Sequence, residues 1–185
     1  LYTEVTWREE KVMEFIFNID DKTIRFINDN MRSEFLDRVM RKISSAGNYG
    51  IIWFAVAFAL IAMGGEKRRA GLLMIFSLGV EASVCNLIIK PSVKRVRPND
   101  AHGMVISIDK PKDYSFPSGH TAAAFAAAYS LYLSDKKKGS GLLLCAAVMG
   151  FSRVYLLVHY PFDVIAGAAL GMISAGFVHR KSEER

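Results

Sequence analysis

Cysteine is nearly absent from this chain: two residues, Cys85 and Cys145, both inside apolar runs and with no C-x-x-C pair. That excludes a disulfide framework and a cysteine-based zinc site, and leaves both thiols as small apolar packing residues. Proline is scarce too, and four of its five copies (Pro91, Pro98, Pro111, Pro117) fall in one charged stretch, 91–117. No nucleic-acid-binding motif accompanies the net charge of +6, so no nucleic-acid partner is expected. No secretory signal peptide is visible at Leu1.

What is present is apolar sequence gathered into runs. Hydrophobic residues make up 51% of 185 residues, and the mean hydropathy is +0.20. After a mixed segment, 1–48, come five runs at about 48–63, 70–89, 120–133, 139–158 and 162–178. A helix crossing a bilayer needs roughly 20 apolar residues. The second, fourth and fifth runs meet this, and the first and third need flanking residues. In the mixed segment Val12, Phe15, Ile16 and Ile19, then Ile24, Ile27 and Met31, recur at helical spacing among many charges. They predict one or two amphipathic helices on the membrane surface or against the bundle, with a break at Ser44 to Tyr49. The expected fold is therefore all-α: a polytopic membrane bundle of about five to six transmembrane helices, with residues 1–185 as one domain and 49–179 as its core. Five spans with a cytoplasmic C-terminus leave the N-terminal segment outside, so the expectation is either a sixth span before Leu1 or a charged segment that dips into the membrane.

Lysine and arginine set the expected orientation. Lys67, Arg68 and Arg69 follow the first run, Lys136, Lys137 and Lys138 the third, and Arg180 and Lys181 the fifth. Alternating crossings put all three clusters on one face, which the positive-inside rule makes cytoplasmic. The loop 91–117 and the far ends of the other helices then share the opposite face.

Three clusters of reactive residues lie at that opposite face. The first is Lys90 with Arg97-Pro98, the second Pro117-Ser118-Gly119-His120, the third Ser152-Arg153 with His159 and Asp163. Lys90, Arg97 and Arg153 offer three cations, of which the arginines present a planar fork suited to phosphate oxygens. Ser118 and Gly119 open the third apolar helix, where main-chain N–H groups and the helix dipole favour an anion. The spacing of His159 and Asp163 lets a carboxylate orient one imidazole nitrogen and leave the other to attack. His120, beside the phosphate cradle, can protonate a leaving oxygen. Phosphoryl transfer needs mainly positioning and charge neutralisation, so neither a metal nor another cofactor is expected. Taken singly, each residue has a bland reading: an interfacial histidine, a snorkelling arginine, a serine cap. Their convergence on one face argues for a site.

At these residues the chain resembles the type 2 phosphatidic acid phosphatase superfamily, whose pattern K-x6-RP, PSGH, SR-x5-H-x3-D occurs here in order and complete. The resemblance implies an active site at the outer membrane surface. It implies His159 as nucleophile, Asp163 as its partner and His120 as acid and then base. Lys90, Arg97, Ser118, Gly119 and Arg153 would bind the phosphoryl group. The stretch SRVYLLVHYPFDVIAGAALG is similar to small bacterial lipid phosphatases of the inner membrane, which act on undecaprenyl diphosphate, phosphatidylglycerophosphate or phosphatidate. The short chain and outward site fit undecaprenyl diphosphate. Some undecaprenyl-diphosphate enzymes of the superfamily instead carry PSDH and lack the motif lysine. Gly119 and Lys90 therefore keep the phosphoglycerolipids open.

Three further features stand outside the motifs. Glu81 lies inside the second run, with Ser83 or Asn86 as its expected partner. Gly167 and Gly171 form a G-x-x-x-G pair suited to packing within the bundle or across a homodimer. Tyr155, Tyr160 and Phe116 border the motifs and are candidates for a lipid entry path. His102 and His179 receive no role. Two non-enzymatic functions share the same layout: a lipid-binding membrane protein without turnover, and a phosphate-conducting channel or transporter lined by the arginines.

Overall fold

The structure, a computed structural model, describes residues 2–105, 108, 109 and 111–184, with side chains from residue 10 onward. Leu1, and with it any span before it, lies outside the described residues, as do positions 106, 107 and 110 of the long loop. Among the described residues nine α-helices follow one another: α1 (Tyr2–Asn30), α2 (Glu34–Ala46), α3 (Ile51–Ala62), α4 (Gly65–Ser83), α5 (Lys90–Val93), α6 (Pro98–Ala101), α7 (Gly119–Ser134), α8 (Lys136–Tyr155) and α9 (Pro161–Glu183). A 3-10 turn at Asn48–Gly50 precedes α3, and a π-helical stretch, Val84–Ile89, joins α4 to α5. No strand occurs among the described residues.

Local chemistry marks the helix ends. The Ser33 side chain accepts from the Leu36 N–H at the start of α2, and Asp135 accepts from the Lys138 N–H at the start of α8. Pro161 opens α9 at a position where its missing N–H costs nothing. The amphipathic reading of the N-terminal segment holds as α1 and α2. Ile24 and Ile27 of α1 pack with Val154 near the end of α8 and with Leu156 and Val158 just beyond it.

Each of the five apolar runs becomes a helix, namely α3, α4, α7, α8 and α9. By length and composition, two stretches suffice to cross a membrane: Gly65–Ala101 and Pro161–Glu183. A third does so if α2 and the 3-10 turn with α3, bent by 46°, count as one. The others fall short for identifiable reasons. Helix α7 has 16 residues, about 24 Å against a hydrocarbon layer of roughly 30 Å, and is enclosed by its neighbours. Helix α8 is bracketed by Lys136–Lys138 and Arg153. The fourth run also ends earlier than its hydropathy suggests, because the helix stops at Tyr155 and residues 156–160 form a loop.

Alanine makes α7 the centre. Ala122, Ala124, Ala126, Ala127 and Ala128 have no exposed surface, so helices α4, α8 and α9 come in close around it. A Cβ on Gly167 would sit 2.6 Å from the Ser118 carbonyl oxygen, and one on Gly171 would collide with the Ala122 carbonyl. The G-x-x-x-G pair is thus consumed inside the chain, against α7. At one end of the bundle Lys67, Arg69, Lys138 and Ser182 line a common cavity of about 400 Å³. The three basic clusters therefore gather at that end. The other end holds the C-termini of α4 and α8, the N-termini of α7 and α9, and both N-terminal helices.

Candidate active site

The π-helical stretch widens the last turn of α4, and Lys90 follows directly. Lys94 then takes a left-handed conformation, φ 52°, and the chain doubles back through Arg95 to Arg97, which is held extended before Pro98. Arg97 is 3% exposed. Its Nη1 donates to the Val158 carbonyl at 2.6 Å and meets His159 Nε2 at 3.0 Å. A guanidinium can only donate, so Nε2 must accept, and the imidazole proton sits on Nδ1. Burial drives the His159 pKa down to about 3; Asp163 opposes this, and the charges of Arg97 and Arg153 reinforce it. The ring is therefore neutral at ordinary pH with a lone pair on Nε2.

On the other edge of the ring, Nδ1 faces Asp163 Oδ2 at 3.7 Å. That is outside hydrogen-bond distance, and Nδ1 has no hydrogen-bond partner. The carboxylate is held elsewhere. Oδ2 accepts from the Ser115 hydroxyl at 2.5 Å and from the Tyr160 N–H at 2.9 Å, while Oδ1 accepts from Arg95 at 2.6 Å.

Asp113, from the long loop, lies between the first motif's two cations. Lys90 donates to one of its oxygens, and Arg97 donates to the other at 2.7 Å and to the Asp113 carbonyl at 2.9 Å. Burial works against this carboxylate, but Lys90 and Arg97 outweigh it and hold its pKa at about 2.

The remaining motif residues close the same space. Arg153, 3% exposed, donates through Nη1 to the Ser44 hydroxyl, while its Nε has no partner. His120 Nε2 meets Asn48 Oδ1 at 3.0 Å, and the ring feels the charges of Arg153, His159, Lys90 and Arg97. A Cβ on Gly119 would lie 3.8 Å from Lys90 Nζ, so the lysine reaches the start of α7. Ser118 stands at the N-cap of α7, but its side chain makes no capping hydrogen bond. Its N–H donates to the Asp163 carbonyl at 3.0 Å, and its hydroxyl accepts from Thr121 at 2.9 Å. All eight residues singled out in the motifs lie at this one end of the bundle.

Several residues of the site escaped the sequence reading. Arg95 and Asp113 stood among many charges in the loop. Ser44 and Asn48 lay in a segment read only as a break, yet it packs on the site. A Cβ on Gly47 would come within 2.8 Å of Met149 and 3.0 Å of His120. Asp20 carried a signal that went unused: it falls in the apolar stripe Ile16, Ile24, Ile27 of α1, and it is 1% exposed.

Two expectations are corrected. Glu81 is buried beside Cys85, one turn on along the same face. Ser83 and Asn86 instead bond the Gly79 and Ala82 carbonyls on the exposed side. Tyr155 lines no entry path. It is fully buried, and its hydroxyl donates to Asp37 at 2.8 Å. Tyr160 is also buried, beneath the Arg95 guanidinium at 4.0 Å.

Comparison with known proteins matches this geometry to a family. The sequence model of the PAP2 superfamily matches residues 70–185. The chain is 30% identical over 149 residues to the undecaprenyl-diphosphatase BcrC of Bacillus subtilis, covering 80% of this chain and 76% of that one. It is 34% identical over 157 residues to an undecaprenyl-diphosphatase of Sulfolobus acidocaldarius, covering 84% and 73%. Among solved structures, a transmembrane PAP2-type phosphatidylglycerolphosphate phosphatase from Bacillus subtilis superposes with a TM-score of 0.74 at 25% identity, covering 91% of this chain and 87% of that one. A helical membrane bundle, a complete three-part motif gathered at one end and these similarities together make the chain a member of the PAP2 superfamily, a membrane phosphatase acting on phosphate esters.

Proposed function

We propose that the chain is a single-domain, metal-independent lipid phosphatase that works through a phosphohistidine on His159. The observation that carries this is the contact of Arg97 with His159 Nε2, which leaves a neutral nucleophile directed at the cation that would hold the phosphoryl group. Nε2 attacks phosphorus as the bond from phosphorus to the leaving oxygen breaks, and His120 gives that oxygen a proton. Water then attacks the phosphohistidine, His120 takes a proton from it, and inorganic phosphate leaves. The ring becomes positive when Nε2 is phosphorylated with Nδ1 still protonated, and the Asp163 carboxylate at 3.7 Å lies where that charge develops. Lys90, Arg97, Arg153, Ser118 and Gly119 bind the phosphoryl oxygens.

For the substrate we favour undecaprenyl diphosphate, supported by the similarity to two undecaprenyl-diphosphatases. A phosphoglycerolipid such as phosphatidylglycerophosphate, phosphatidate or diacylglycerol diphosphate is the second reading. Its support is the likeness to the phosphatidylglycerolphosphate phosphatase, with Lys90 and Gly119 both present. The basic clusters at the far end of the bundle support a cytoplasmic membrane location with the site facing outward.

The test uses purified protein in detergent and compares kcat/KM across these four lipids. Phosphate release that His159→Gln abolishes and EDTA leaves intact is the expected result. Turnover by folded His159→Gln, or loss of turnover with EDTA, would sink the mechanism. Phosphate binding or transport without any release would favour the non-enzymatic functions.

A further inference from the structure

Helix α1 lies outside the residues that match the superfamily, yet one of its side chains reaches the catalytic loop. Arg95 divides its guanidinium between two carboxylates: Nη1 donates to Asp163 Oδ1 and Nη2 to Asp20 Oδ2, both at 2.6 Å. Its flat face lies 4.0 Å from the centre of the Tyr160 ring, with Phe17 of α1 at 5.3 Å. The other oxygen of Asp20 accepts from the Phe162 N–H at 3.0 Å. Both carboxylates are buried, at 1% and 0% exposure. They sit at the N-terminus of α9, where the helix dipole favours negative charge. We infer that Arg95 and Asp20 are positioning residues for the hydrolysis, and that α1 completes the active site by fixing the carboxylate that faces His159. The inference rests on the reading of His159 as the nucleophile.

The geometry explains why the fork is needed. Asp163 must stay close enough to stabilise the phosphorylated ring, but not so close that it raises the resting ring's affinity for a proton. Ser115 and the Tyr160 N–H hold Oδ2, and Arg95 holds Oδ1. Remove the guanidinium, and the carboxylate carries its full charge and is free to close on Nδ1. The imidazole then binds a proton more readily, and its nucleophilic lone pair is lost at a higher pH than in the wild type. Remove the charge of Asp20, and Arg95 turns wholly to Asp163 and draws it away from the ring. The two changes therefore push His159 in opposite directions. The other charged and titratable groups facing the ring are Arg97 at the start of α6, Arg153 of α8 and His120 of α7, with Lys90 and Asp113 beyond Arg97. All of these are retained in both variants.

The experiment compares Arg95→Gln, Arg95→Lys and Asp20→Asn with the wild type in detergent, using the favoured lipid and p-nitrophenyl phosphate. Nitrophenolate leaves without a proton, so that substrate removes the need for a protonated His120, which governs the alkaline limb, and leaves the acid limb of kcat/KM to the neutral His159. For Arg95→Gln the expected result is a tenfold or greater fall in kcat, a change in KM under threefold and an acid limb moved up by about one pH unit. Asp20→Asn should lower kcat about tenfold with no upward movement of the limb. Arg95→Lys, which keeps the charge without the fork, should recover part of the kcat. Thermal unfolding checks that each protein is folded; if Arg95→Gln does not fold, the other two variants decide. Folded variants with wild-type kcat and an unmoved limb overturn the inference. A dead His159→Gln beside such variants leaves the phosphohistidine reading standing, whereas an active His159→Gln removes that reading itself.

Discussion

Asp113 and Arg97 meet through a carboxylate oxygen and Nη2 at 2.7 Å, while Lys90 holds the other oxygen of the same carboxylate. The side chain of Asp113 is 51% exposed and those of Lys90 and Arg97 are 8% and 3% exposed. The anion thus reaches two buried cations from the solvent side, as a phosphoryl group would. If those cations bind phosphate, substrate has to displace Asp113. Asp113→Asn, which keeps the size and removes the charge, should therefore tighten inhibition by orthovanadate and inorganic phosphate about tenfold, or roughly 1.4 kcal/mol, and lower KM. Weaker inhibition in the variant would mean that Asp113 shapes the cation pair rather than competing for it.

A second prediction concerns acid stability. The His159 pKa is near 3 in the folded protein, where burial disfavours the charged ring, against about 6.5 in an unfolded chain. As pH falls from 6.5 towards 3, the unfolded chain takes up a proton that the native one does not. The unfolded state binds more protons in this window, so stability rises with pH there and is lost on acidification. Asp113, depressed to about 2, adds the same sign lower down, between about 3.8 and 2. In detergent the unfolding temperature of the wild type should fall steadily between pH 6.5 and 4. His159→Gln, which has no group to titrate, should show a distinctly shallower fall. Equal slopes would indicate that the ring is already protonated in the native state.

The reach of the sequence can be judged residue by residue. Lys90, Arg97, His159 and Asp163 were legible because their spacing is local: each lies within a few residues of a partner or of a helix end. Arg95 and Asp20 were not, since they are 75 positions apart and pair only once α1 packs beside α9. Asp20 still betrayed itself as a lone carboxylate in an apolar stripe, where burial needs a partner. Helix α7 shows the opposite case. Its alanines gave a run too short to cross a membrane comfortably, and that shortness follows from its central place. Surrounded by other helices, it needs small side chains rather than length. The end of α8 at Tyr155 was hidden because Leu156, Leu157 and Val158 continue the apolar pattern into a buried loop.

Packing of α9 on α7 also sets the site, and this yields a third prediction. Gly167 lies against the Ser118 carbonyl, 2.6 Å from where a Cβ would stand, and against Thr121 at 3.3 Å. Gly167→Ala must push the two helices apart at the point where Ser118 donates to the Asp163 carbonyl. Overpacking of this kind costs about 1–3 kcal/mol. Activity should suffer more than stability, with kcat down tenfold or more, because Ser118, Gly119 and Asp163 all move. Gly176, further along α9, has nothing within 4 Å of its Cβ position, so Gly176→Ala serves as the control and should change neither unfolding temperature nor kcat appreciably.

The last prediction turns on two buried polar atoms without partners, Arg153 Nε and His159 Nδ1. A buried N–H left unmade costs about 1–3 kcal/mol, and here both belong to residues that would meet a phosphoryl group. Binding of an oxyanion would give Arg153 Nε its acceptor. Orthovanadate, whose trigonal-bipyramidal geometry resembles the transition state of phosphoryl transfer, should therefore bind and stabilise the folded protein. At a hundred times its Kd, linkage gives about 2.7 kcal/mol, which for a chain of 185 residues corresponds to a rise of roughly 5–10 °C in unfolding temperature. Arg153→Lys keeps the charge but lacks both the fork and the Nε–H, so it should lose most of that rise and at least a hundredfold in kcat/KM. A wild-type vanadate shift in Arg153→Lys would place the oxyanion away from Arg153 and break the proposed phosphate cradle at its deepest point.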